Sequence, residues 1–149
     1  MTEKKKPMLQ FVATETDPKP WVNIPTSAMQ ALKQVQRIMN YSRYRNDQAD
    51  DWTPDMNRDC QGKVAAAIVE LHERFVPLDC MRGFVGECLV KREPARWSSH
   101  AILVVRVFTL PTPIDYVLDN RQTGIRTMAW MNAKSLYRNM RPAIRARIE

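Results

Sequence analysis

The chain has 149 residues, 44% hydrophobic and 26% charged, and carries a net charge of +7. That length suits one domain with a real hydrophobic core, and the composition is that of an ordinary globular protein rather than a disordered or fibrous one. No apolar run approaches the ~20 residues that span a bilayer, so a membrane is excluded as a partner at this level.

The first residues, MTEKKKPMLQFVATETDPKP, have a basic start but no sustained apolar stretch and no small-residue cleavage site. They read as a polar leader rather than a signal peptide. Three cysteines, Cys60, Cys80 and Cys88, show no CxxC spacing. This argues against a disulfide framework or a zinc site and, with the leader, gives the expectation of a cytoplasmic protein.

In chain order, residues 1–25 are rich in proline and predict an extended N-terminal arm that packs through Trp21. Residues 26–149 then form the single folded domain. Met29, Leu32, Val35 or Gln36, and Met39 recur at helical spacing behind Ser27, which predicts a helix capped there and ending near Asn40. A polar, turn-rich stretch follows. The next helix is predicted from residue 60 to about 75, with Asp59 as N-cap, a stripe of Val64, Ile68, Leu71 and Phe75, and Pro77 beyond its end. MRGFVGECLV, HAILVVRVF and IDYVLDN are short and rich in Val, Ile, Phe and Tyr, as strands are. The last two are joined through TLPTP. A short basic helix is expected from about Ala133. Helices segregated before an antiparallel sheet define an α+β fold, with the second helix packed on a small sheet.

From Arg121 to Glu149 the chain has seven Lys or Arg and one Glu. Such a basic segment suits a solvated face, and it is also the feature by which nucleic acid or an acidic partner would be met.

Cys60 falls in the first turn of the second helix. Unpaired amides and the helix dipole favour a thiolate there, and the same amides can hold an oxyanion. A thiol nucleophile needs a base, and the chain offers two histidines. His72 lies three turns further along the same helix and cannot return to the thiol. His100 opens a strand. Asp119 lies in the apolar run YVLDN, where a carboxylate requires a partner. Alternate residues of a strand face opposite sides, so His100 and Asp119 share a face only if paired positions sum to an odd number. That calls for an even loop, for instance Thr109 to Thr112. Cys60, His100 and Asp119 then form the constellation of a thiol hydrolase.

With these pieces in place, the stretch from about Val35 to Asn120 resembles the bacterial transglutaminase-like cysteine proteinases, a branch of the papain-like transglutaminase superfamily. The matching pieces are IMNYSRYRND followed by DDW, DC at a helix start with Lys63 inside it, SSHAILVV, and YVLDNR. The resemblance implies a papain/transglutaminase-like core, a protein or peptide substrate, and roles for Cys60 as nucleophile, His100 as base and acid, and Asp119 as the group that orients the imidazole. Trp52, Trp97 and Asn120 are candidates for the substrate cleft. In the family's adhesin-releasing periplasmic members, acidic residues after the DC pair help to bind calcium. Here those positions are Gln61 and Gly62, so no metal or other cofactor is expected. Arg58 or Lys63 pairing with Asp59 is the expected substitute for the cation.

Overall fold

The computed structural model describes residues 8–46 and 50–149. Two helices precede most of the sheet: α1 (Ala28–Tyr41) and α2 (Cys60–Glu73). The strands are β1 (Leu9–Ala13), β2 (Met81–Val90), β3 (Arg96–Val107), β4 (Ile114–Leu118), β5 (Arg126–Thr127) and β6 (Tyr137–Ile148), with a short helix α3 (Met128–Ala133) before β6. They form one six-stranded sheet in the order β1-β6-β2-β3-β4-β5. Every neighbouring pair is antiparallel.

The sheet separates two apolar clusters. The larger one joins Leu32, Val35 and Met39 of α1 and Val64, Ala67, Ile68 and Leu71 of α2 to Ala101, Leu103 and Val105 of β3. The smaller one joins Ile102 and Val104 of β3 to Val117, Met131 and Tyr137. Strand β3 therefore buries both faces by simple alternation, which is why it reads as a continuous apolar run.

Asp59 caps α2 as expected, its side chain accepting from the Gly62 amide at 3.1 Å. Ser27 occupies the N-cap position of α1, but its side chain makes no capping hydrogen bond. The predicted apolar stripe of α2 holds for Val64, Ile68 and Leu71 and fails at Phe75, which is 90% exposed. The helix stops at Glu73, and Phe75 takes a left-handed φ of 69°. Its amide bonds back to the His72 carbonyl, and Val76 bonds to Leu71 and enters the core instead.

Two expectations need correction. The segment after Ala133 is not a helix but the twelve-residue strand β6, placed between β1 and β2. Its Ile144 and Ala146 face the core while Arg147 is exposed, a period-two pattern. Pro142 is accommodated where the β2–β6 register shifts. The N-terminal segment is extended, yet it is part of the sheet: β1 pairs with β6 from Leu9↔Ile148 to Ala13↔Ile144. Trp21 is buried and bridges to Val107.

The β3–β4 hairpin has six loop residues, 108–113, rather than four. That number is even, and paired positions such as Leu103 and Leu118 sum to an odd number. Extended beyond the ladder, this register sets Asp119 opposite Ile102, on the face shared by His100.

Candidate active site

His100 and Asp119 meet inside the protein. The imidazole Nε2 lies 2.6 Å from Asp119 Oδ1, with both side chains essentially inaccessible to solvent. Oδ1 also accepts from the Arg121 amide at 2.8 Å, and Oδ2 accepts from the Tyr137 hydroxyl. Burial alone would raise the Asp119 carboxyl. The His100 charge and hydrogen bond, with those of Tyr137 and the Arg121 amide, outweigh it and hold the carboxyl below its ordinary value. Burial likewise depresses His100, but the Asp119 charge and hydrogen bond and the neighbouring Cys60 push the imidazole up to about 9.

Cys60 starts α2 and is half-buried. Burial pushes its thiol up. Hydrogen bonding and charge from His100, with the Ala101 backbone, pull it down further, so the thiol lies below its ordinary value. Nδ1, the other nitrogen of the His100 ring, has no well-formed hydrogen bond among the described residues. The thiol–imidazole contact is thus looser than the imidazole–carboxylate bond, as is common before substrate tightens such a site.

The other thiols differ. Cys80 is pushed up to about 12 by burial, and Cys88 is also raised, chiefly by burial. His72 is on α2 and lines an apolar groove with Phe75, away from Cys60.

A cleft of about 600 Å³ opens over the pair, lined by Cys60, Gln61, His100, Glu87, Asn139 and Arg141 among others. Gly86 lies opposite His100 in the β2–β3 register. A Cβ there would come within 2.8 Å of the Asn139 carbonyl, so this wall of the cleft exists only because position 86 has no side chain. The cap on α2 uses the Gly62 amide, and among the described residues the Cys60 and Gln61 amides have no protein acceptor. They are the donors an oxyanion at the thiol would find.

Of the other residues singled out from the sequence, Trp52 packs against the larger core cluster and is not part of the cleft lining. Trp97 lies under the Arg138 guanidinium, 4.3 Å from its ring centroid, and Arg138 in turn pairs with Glu87 at 3.2 Å. Asn120 lines a different pocket, and its backbone carbonyl accepts from Asn40. Sequence reasoning missed two supports of the His100–Asp119 pair. Gln36 holds the Asp119 backbone on both sides, accepting from its amide at 3.0 Å and donating to its carbonyl at 2.8 Å. A Gln at a core position of a predicted helix was the available signal, since a buried amide needs partners. Tyr137 was hidden inside the segment taken for helix.

The side chains at positions 61, 59 and 62, beside Cys60, are engaged or absent. Gln61 turns its amide nitrogen to Asp50 at 2.9 Å, and Asp59 is used as the helix cap. A Cβ at position 62 would lie 2.5 Å from Arg58 Cβ and 2.9 Å from the Asp55 carbonyl, so the turn at residues 55–58 fills the space an acidic side chain would need. Lys63 does not pair with Asp59. Its buried ammonium donates to the carbonyls of Ser42, Arg43 and Met56 at 3.2, 3.0 and 2.6 Å. Arg58 reaches Asp51 at 2.7 Å and the Thr53 carbonyl at 3.1 Å.

No family model and no curated protein matches the chain in sequence. Among solved structures it is similar to Legionella pneumophila LapG in its calcium-bound form, with a TM-score of 0.57 and 16% identity. The match covers 78% of this chain and 64% of LapG, so the likeness is one of fold. Both share a mixed arrangement of helices and antiparallel sheet, and no described helix is long and apolar enough to cross a membrane.

Proposed function

We propose that the protein is a thiol hydrolase with a papain/transglutaminase-like core, acting as a cysteine peptidase on an exposed, extended segment of a protein substrate. The observation that carries this reading is the buried 2.6 Å bond between His100 and Asp119 beside a thiol at a helix start. A buried imidazole–carboxylate pair needs a purpose that packing does not supply, and the lowered Cys60 thiol gives it one. The fold shared with LapG and the motif resemblance point the same way.

In the proposed reaction Cys60 Sγ attacks the amide carbonyl, forming a C–S bond as the carbonyl π electrons move to oxygen. The Cys60 and Gln61 amides receive that oxyanion. His100 gives its proton to the departing nitrogen, and the C–N bond breaks to leave a thioester. Water, deprotonated by His100, then attacks the thioester and releases the acid and the thiolate. Asp119 holds the imidazole orientation throughout and is itself held by Tyr137, Gln36 and the Arg121 amide. Calcium takes no part in these steps.

The test is mass spectrometry of a protein mixture exposed to the wild type or to Cys60→Ala. New chain termini confined to the wild type support peptidase action. Deamidated or cross-linked glutamine in their place would move the reaction to side-chain amides with the same residues. No Cys60-dependent change of any kind would sink the hydrolase reading.

A further inference from the structure

Between α1 and the segment that follows β4, residues 120–126, lies a second and larger pocket. Its volume is about 950 Å³, within the range of about 300–1,000 Å³ typical of small-molecule sites. Lys33, Arg37, Arg121 and Arg126 line it, and no carboxylate does. Among the described residues none of these four makes a salt bridge, whereas Arg45, Arg74, Arg106 and Arg138 elsewhere on the surface each have an acidic partner. Arg121 is turned away to the Cys88 thiol, to which it donates at 2.6 Å, but Lys33, Arg37 and Arg126 remain as cations collected on a concave surface, which raise the local concentration of anions.

The details argue for a built site rather than a chance cluster. Arg126 Nε is buried with no acceptor among the described residues, its guanidinium resting 5.2 Å from the Trp130 ring centroid. A buried guanidinium donor without an acceptor is costly in place and is relieved by an oxyanion. One wall is tied together by the Gln36 side-chain amide, whose NH2 lies 2.8–3.0 Å from three acceptors, Asn40 Oδ1 and the Asp119 and Gln122 carbonyls, and shares its two hydrogens among them. Asn40 also donates to the Gln122 carbonyl at 2.5 Å. Tyr41, at the end of α1, and Tyr116, on β4, add aromatic surface to the lining, and Tyr41 is 85% exposed.

We propose that this pocket binds a small multiply charged anion carrying a flat ring, of the nucleoside polyphosphate class. The phosphates meet Lys33, Arg37 and Arg126, and the ring lies against the tyrosines. The site is separate from the cleft at Cys60, and its occupancy does not depend on the hydrolase reading.

The experiment is calorimetric titration of the full chain with ATP, tripolyphosphate and adenosine, in EDTA and 150 mM salt. Saturable binding of one ATP per chain is expected, with tripolyphosphate weaker and adenosine weaker still. Lys33→Gln with Arg37→Gln, both on the exposed side of α1, should weaken ATP by about tenfold or more, each lost charged hydrogen bond being of that order. Circular dichroism confirms that the pair still folds. Arg145→Gln with Arg147→Gln, which lower the net charge equally on β6, should leave the affinity unchanged. The proposal is overturned if ATP fails to saturate at millimolar concentration, if both charge pairs weaken it alike, or if only a poly-glutamate peptide binds.

Discussion

Cys60 is held between two opposed influences, burial that protonates the thiol and an imidazolium that ionises it, and the second prevails. Its reactive thiolate should therefore persist at a pH where an ordinary cysteine is protonated. Limited iodoacetamide at pH 6.5 with peptide mapping should label Cys60 ahead of Cys80 and Cys88, both of which burial raises. Faster labelling of either one would remove the nucleophile assignment. His100→Ala should slow Cys60 labelling about tenfold for each unit by which the thiol then rises, and His72→Ala should leave it unchanged. The pH profile of turnover follows from the same pair. Rate falls toward acid as the lowered thiol takes up its proton, and toward alkali as the imidazolium is lost through about 9. Tyr137→Phe takes the hydroxyl donor from Asp119 Oδ2 and leaves a buried carboxylate oxygen short of a bond. A loss of about 1–3 kcal/mol in stability is expected, read by urea unfolding. Activity should fall as well, and full activity in that variant would show that Asp119 is positioned by Gln36 and the Arg121 amide alone.

At the scale of elements, the turn-rich stretch between α1 and α2 is tied to α2 by Lys63. This side chain is 1% exposed, yet its ammonium satisfies three backbone carbonyls from both ends of that stretch. Burial lowers its pKa, but the carbonyl cage suits the charged form. Lys63→Met keeps the stem and deletes the charge, and should cost on the order of 3 kcal/mol. Limited proteolysis should then cut between Ser42 and Met56 first. Unchanged resistance there would show that Arg58 and its partners suffice. The elements that the sequence revealed are those whose burial pattern is local: α1, α2, β2, β3 and β4 each carry their own period. The His100–Asp119 pair was legible for the same reason, since a carboxylate in YVLDN and a histidine at a strand start stand out against apolar neighbours. What was hidden depended on distant pairing. Ile144, Ala146 and Ile148 alternate with Arg145 and Arg147, a strand signal, but Pro142 and the charge suggested a helix end. Only pairing to β1 and β2 on either side turns that segment into the middle of a sheet. Tyr137 went unseen with it, and so did the role of β1.

At the scale of the whole molecule, the fold shared with calcium-bound LapG raises the question of whether this chain binds the ion. A protein that binds a ligand only when folded is stabilised in proportion to occupancy, so the melting temperature reports the dependence directly. Calcium prefers about six to eight oxygens and gains affinity from charged ones. Beside Cys60 this chain offers Gln61, already turned to Asp50, and Gly62, whose missing side chain is replaced by the turn at residues 55–58. The task of holding that turn against α2 falls to groups within the chain: the Asp59 cap, the Lys63 ammonium, and the Arg45 side chain, which bonds the Asn57 carbonyl at 2.8 Å. An internal ammonium cannot be chelated. Thermal unfolding in excess EGTA should therefore superimpose on unfolding in millimolar calcium, and activity should be equal in both. Lys63→Met supplies the control, since loss of the internal cation should lower the melting temperature in either buffer without calcium restoring it. A rise of several degrees with calcium in the wild type, or activity lost in EGTA, would mean that the loop rearranges to admit a metal. The close packing of Arg58 and Asp55 over Gly62 would then describe only the metal-free state.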